Sequence, residues 1–169
     1  MEFRDWVCSI SAVSKFIRIP DSNEKQSLYA EATTKLRGLL EGESDPVVVM
    51  ASIVAVLHDT MPHYFWTGFY RVMGEELVIG PYQGPPACLR IPRGMGVCGT
   101  AWDMGETRVV EDVHEFPGHN ACDARSQSEI VVPWKNAAGR VIAVLDVDST
   151  LRGAFDEVDR WGLEALQAL

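Results

Sequence analysis

The sequence predicts an α+β fold, with a central antiparallel sheet and helices packed mainly on one of its faces. Two segments with apolar residues at helical spacing come first, two pairs of strand-like segments joined by short turns follow, and one amphipathic helix closes the chain. Strands joined to their neighbours by tight turns pair antiparallel, because a parallel pair needs a longer crossover. No internal repeat or low-complexity stretch interrupts this order.

Residues 24–40 set Tyr29, Ala32, Leu36 and Leu39 at helical spacing among Glu31, Lys35 and Arg37, which predicts a helix with one buried stripe. Gly42 ends it. Ser44 or Asp45 can cap the next helix, with Pro46 in the first turn, where its missing N–H costs nothing. Val47 to Leu57 is apolar nearly all round, so this helix is expected to be buried. Phe65–Val72 and Glu76–Tyr82 are rich in aromatic and branched residues and flank Met73-Gly74-Glu75, a hairpin signal. Ser128–Lys135 and Arg140–Asp148 flank Asn136-Ala137-Ala138-Gly139 in the same way. A last helix is expected from Asp156, presenting Val158, Trp161, Ala165 and Leu169 on one side.

The chain of 169 residues is 47% hydrophobic and 23% charged, which suits a single domain over residues 24–169 preceded by an extension over residues 1–23. That extension mixes Glu2, Arg4, Asp5, Lys15 and Arg18 with apolar residues and lacks the apolar core of a secretory signal, so a cytoplasmic location is expected. No apolar run reaches the roughly 20 residues that span a bilayer. A net charge of −9 disfavours nucleic acid and anionic membrane as partners. Four cysteines are too few for a disulfide-stapled secreted domain, which points to reduced thiols with redox, catalytic or metal roles.

Three of those cysteines, Cys88, Cys98 and Cys122, fall between Gly80 and Asp148. Gly94-Met95-Gly96-Val97-Cys98-Gly99 fits a dinucleotide-binding pattern, but it does not follow a first strand of a parallel unit, and a turn entering a short helix over Val97–Gly105 is the better reading. At the start of such a helix Cys98 would feel the positive dipole end, with Arg90 and Arg93 close in sequence, which favours a thiolate; a small core thiol is the alternative. Cys122 follows Pro117, Gly118, His119 and Asn120, a loop composition that exposes a thiol to substrate. Cys88 follows Gly84-Pro85-Pro86, and two thiols on turn-rich segments can form a switchable disulfide if their Cα atoms come within about 7 Å. His114, His119 and Cys122, with Cys98 or Cys88, are an alternative zinc set, although no compact Cys-x2–4-Cys pair supports it.

Alternation along 140–148 puts Ile142, Val144, Asp146 and Asp148 on one strand face and Val141, Ala143, Leu145 and Val147 on the other. If Glu129 points the same way, three acids converge on a site for an ammonium group or a shared proton. The competing reading has Asp148 capping a turn and Asp146 solvated at a sheet edge. Trp66, Phe69 and Tyr70 offer core area or an apolar wall.

Taken together, Gly80-Pro81-Tyr82-Gln83-Gly84, Ala87-Cys88, Arg90-Ile91-Pro92, Gly94 to Ala101, Asp112-Val113-His114, Phe116 to His119, Ala121-Cys122-Asp123, Ser128 to Pro133 and Val144 to Ser149 closely resemble the GAF-domain free methionine-(R)-sulfoxide reductases. The resemblance covers about residues 24–169 and implies a GAF-like domain that reduces free methionine-(R)-sulfoxide through a cysteine sulfenic acid. It implies Cys122 as nucleophile, Cys88 as resolving thiol with Cys98 as an alternative, and an intramolecular disulfide recycled by thioredoxin. Glu129, Asp146 and Asp148 map onto the substrate-binding acids and Trp66 and Tyr70 onto the aromatic pocket. Neither a metal nor an organic cofactor is implied, and a homodimer is a further expectation. The chain departs from the family's usual residues at Tyr82, where Phe is expected, and at Trp134. GAF-like sensors are the rival class, against which three motif cysteines weigh.

Overall fold

The computed structural model describes residues 17–118 and 123–169. Their elements run in the order α1 (Ser22–Leu39), α2 (Pro46–Thr60), β1 (Trp66–Met73), β2 (Glu76–Gln83), β3 (Arg90–Pro92), α3 (Gly96–Met104), β4 (Arg108–Val110), β5 (Ser128–Lys135), β6 (Val141–Ser149) and α4 (Glu157–Ala165). The six strands form one sheet in the order β3-β2-β1-β6-β5-β4, antiparallel throughout, so β1 and β6 are central. This is the expected α+β architecture.

Local chemistry explains the boundaries. Asp21 accepts from the Glu24 N–H at the start of α1, and Asp45 accepts from Val47 and Val48 ahead of Pro46 at the start of α2. Asp156 and Asp159 form a reciprocal capping box on α4. Gly139, at φ 75°, closes the β5–β6 turn, where Asn136 Oδ1 accepts from the N–H groups of Ala138 and Arg140.

Helices α1, α2 and α4 cover one sheet face, where Tyr29, Leu36, Ile53 and Leu57 pack on Phe69, Ile130, Leu145 and Val147. Helix α3 covers part of the other face, with Val97, Cys98 and Ala101 against Trp66, Tyr70, Val131 and Val144. Strand alternation thus assigns two cores to two faces.

Several sequence expectations need correction. In α1 the buried stripe runs Lys25, Tyr29, Ala32, Leu36, and Leu39 is exposed. In α2 only the face with Met50, Ile53, Val54 and Leu57 is buried, leaving Val47 and Val48 open to solvent. In α4 Trp161 is exposed, and the inward side is Asp159 and Leu163, with Gly162 so close to Tyr29 that an added Cβ would lie 2.5 Å from its ring. A bulge at Trp134/Lys135 pairs Lys135 with Val141 and Trp134 with Ala143, which breaks the alternation at Ile142 and turns Val141 toward the α3-side core.

The inward turn of Lys25 and Asp159 has one cause. Lys25 Nζ ion-pairs with Asp159 and donates to the Ala154 carbonyl at 2.9 Å, while Tyr29 donates to Asp159 Oδ1 at 2.9 Å and His63 Nε2 lies 3.2 Å from the same oxygen. Burial pushes the Asp159 carboxyl up, but the hydrogen bonds and charges of His63 and Lys25 outweigh it and hold the group below its ordinary value. This buried pair ties α1 to α4. Asp159→Ala would take away the buried partner of the Lys25 ammonium, leaving it the exposed Asp156 at 3.1 Å, and should destabilise the fold by about 3–5 kcal/mol, read from denaturant unfolding.

Candidate active site

The site follows from register. On the α3-side face Trp66 of β1 is paired with Asp148 of β6, and Asp148 in turn with Glu129 of β5. One row on, Gly68 is paired with Asp146 and Asp146 with Val131. Three carboxyls from two neighbouring strands therefore occupy adjacent rows of one face. Gly68 makes room for the Trp66 ring, because a Cβ there would sit 2.4 Å from it. Trp66 is stacked on Tyr82 at 5.5 Å and on Tyr70 at 5.8 Å.

These groups line a cavity of about 150 Å³. Glu129, Asp146 and Asp148 form its acidic part, Trp66, Tyr70, Phe65 and Ile91 its apolar walls, and both described motif cysteines, Cys88 and Cys98, line it too. Gly118 and Asp123 also line it. Cys122 and His119 lie outside the described residues, as does Cys8.

Electrostatics sort the acids. Burial, then the Asp146 and Asp148 charges, raises the Glu129 carboxyl well above its ordinary value, and burial and Asp148 raise Asp146 likewise. Burial and mutual repulsion both favour the protonated forms of this pair. Asp148 is half-buried and pushed up to about 7, burial being partly offset by a hydrogen bond from Ser126. Asp146 lines the cavity, and its Oδ1 is buried with no hydrogen-bond partner. The competing edge-strand reading therefore fails: Asp146 is 6% exposed on a central strand.

The expected Cys98 thiolate is corrected as well. Cys98 does lie in the first turn of α3, but it is 4% exposed, and burial with the nearby Asp146 and Glu129 charges pushes its pKa well up. The arginines are engaged elsewhere, Arg90 with Glu76 and Arg93 with Asp103. Desolvation beside two acids outweighs the helix dipole. Of the zinc alternative, exposed His114 bonds Asp112 at 2.8 Å and is not among the cavity residues. Among the described residues the set able to hold a cation is Cys98, Glu129 and Asp146, whose ligand atoms lie within 4.8 Å of one another, and the raised pKa of each opposes the deprotonation that ligation requires.

Sequence reasoning missed Phe65, Met95 and Ser126 as cavity residues. It also missed Arg125, which binds Asp123 through its backbone N–H and guanidinium and lies 4.8 Å over the Phe65 ring. Asp123 is held down at about 2 by those hydrogen bonds. An Asp-x-Arg-Ser turn is the signal that could have found them, since Ser126 N–H donates back to the Asp123 carbonyl at 3.2 Å.

Comparison with known proteins then bears on this geometry. The GAF domain family model matches residues 43–169. Free methionine-R-sulfoxide reductase of Escherichia coli is 43% identical over 144 residues, covering 85% of this chain and 87% of that protein. The structure of free methionine-R-sulfoxide reductase from Neisseria meningitidis in complex with its substrate matches with a TM-score of 0.81 at 44% identity, covering 90% of this chain and 89% of that one. The chain belongs to the GAF-domain free methionine-(R)-sulfoxide reductase family. The reduced form of fRMsr of Staphylococcus aureus is similar too, with a TM-score of 0.80 at 41% identity and coverage of 89% and 94%. Of the two departures from the residues expected in this reductase family, Tyr82 stacks on the cavity residue Trp66, whereas Trp134 packs edge-on against Phe69 on the opposite face.

The raised Asp148 value has a sign that can be tested. Its folded pKa of about 7 exceeds the ordinary 3.8, so its contribution favours folding in acid and is lost as pH rises through about 7. Asp148→Asn should therefore raise the denaturant midpoint relative to the parent more at pH 8 than at pH 4; an equal gain at both would contradict this titration.

Proposed function

We propose that this protein reduces free methionine-(R)-sulfoxide to methionine, with Cys122 as the nucleophile and Cys88 as the resolving thiol. The observation supporting this most is one cavity lined by the acid trio, by Trp66 and Tyr70, by Cys88, and by Gly118 and Asp123, which flank the segment carrying Cys122. The similarity to reductases named for this substrate supports the substrate assignment.

The chemistry of the residues divides the work. Asp148, half-buried and ionising near neutrality, receives the substrate ammonium, and Trp66, Tyr70 and Phe65 enclose the thioether methyl. Glu129 and Asp146, whose protonated forms burial favours, donate to the sulfoxide oxygen. The Cys122 sulfur attacks the sulfoxide sulfur, the protonated oxygen passes to Cys122 as a sulfenic acid, and methionine leaves with the electron pair. Cys88 then displaces water from the sulfenic acid, forming the Cys88–Cys122 disulfide. The dithiol of thioredoxin reduces that bond and is itself oxidised, so the cycle needs neither metal nor organic cofactor and suits a reducing compartment such as the cytoplasm.

With a thioredoxin system and NADPH, the purified protein should consume the R epimer of free methionine sulfoxide and leave the S epimer. Equal turnover of both, or none, overturns the proposal. Cys122→Ser should abolish even a single turnover of the pre-reduced protein, while Cys88→Ser should retain that turnover and lose recycling, measured as methionine formed per protein with and without thioredoxin.

A further inference from the structure

We infer that Cys98 is a positioning residue: its thiol hydrogen donates to Glu129 and holds the Glu129–Asp146 carboxyl pair in the arrangement from which a proton reaches the substrate oxygen. The inference rests on the proposed reductase reaction and gives Cys98 a role other than that of a resolving thiol.

The geometry carries it. Cys98 Sγ donates to Glu129 Oε1 at 3.7 Å, and the sulfur and one oxygen of each acid lie within 4.8 Å of one another. All three residues are buried, at 4%, 6% and 6% exposure. Asp146 Oδ1 is buried without a partner, an unsatisfied polar atom in a cluster that lines the cavity.

The sulfur is delivered rigidly. Cys98 sits between Val97 and Gly99 in the first turn of α3, where Gly94 N–H donates to the Gly99 carbonyl at 3.0 Å and Gly99 N–H to the Met95 carbonyl at 3.0 Å. Gly99 is so close to β3 that a Cβ would lie 2.6 Å from the Pro92 carbonyl oxygen. A side chain so placed has little freedom to approach another sulfur, whereas a resolving thiol must reach a sulfenic acid and ionise. Cys98 instead stays a thiol, because burial and the facing acids oppose its ionisation.

The ionisable groups facing it are Tyr70 from β1, Glu129 from β5, and Asp146 and Asp148 from β6. In this company a thiol supplies a weak donor without adding charge. Its hydrogen bond favours the Glu129 carboxylate. Removing it should push the Glu129 pKa higher still.

The test compares Cys98→Ala and Cys98→Ser as pre-reduced proteins, with single-turnover rates against pH and multiple turnover with thioredoxin. Cys98→Ala should slow the single turnover about tenfold, a fraction of what a positioned general acid contributes, and move the alkaline limb of the rate profile to higher pH. Cys98→Ser, which keeps a donor but cannot form a disulfide, should recover the rate to within about threefold and restore the limb. An alanine variant with a normal single turnover, or a serine variant as slow as alanine, overturns the inference. Loss of recycling alone in both variants would make Cys98 a resolving thiol instead. Should the parent protein fail to reduce the R epimer, the functional proposal falls separately, and 13C NMR titration of Glu129 still decides the contact: an unchanged titration in Cys98→Ala refutes it.

Discussion

Burying three carboxyls side by side is the constraint on which the site depends. Glu129, Asp146 and Asp148 share one sheet face because strands alternate and because the β5–β6 register places them in adjacent rows. Each would be ionised in water, and each resists ionisation here, since desolvation and mutual repulsion act in the same direction. A pocket built this way favours protonated carboxyls over a cluster of buried charges. It also gains from an occupant that carries positive charge and accepts a hydrogen bond, which are the complementary needs of an amino-acid sulfoxide.

The opposite sheet face makes that arrangement tolerable. There α1, α2 and α4 bury a continuous apolar core against Phe69, Ile130, Leu145 and Val147, the alternate residues of the strands that carry the site. Each such side chain contributes on the order of 1.5–3 kcal/mol when fully buried, enough collectively to offset the acids opposite. The two faces also show the same residue type shifted in opposite directions. Asp159 is buried among Lys25, His63 and Tyr29, whose hydrogen bonds and charges overcome burial and lower its pKa, whereas burial raises that of Asp146 and the Asp148 charge adds to it.

Much of this was legible in advance where a period governs. Helix caps at Asp45 and Asp156, both hairpins, and the shared face of Asp146 and Asp148 follow from local patterns that tertiary contacts did not override. The errors have a common origin. Leu39 and Trp161 looked inward because apolar residues were counted and Lys25 and Asp159 were not, yet a charged pair that satisfies itself can occupy the interior in their place. Val141 was misplaced by a bulge that periodicity cannot see. Cys98 was read by its position on a helix, whereas the groups facing it come from β5 and β6, more than 30 residues downstream.

By itself the sequence determined the element order, the family and the list of chemically competent residues, since these depend on local spacing and on motifs within a few residues of one another. Only the tertiary structure decided which of those residues share a solvent-poor space and therefore which ones keep their protons. A pKa depends on through-space distance and on the exclusion of water, and neither is fixed until β1, β5 and β6 are laid side by side beneath α3.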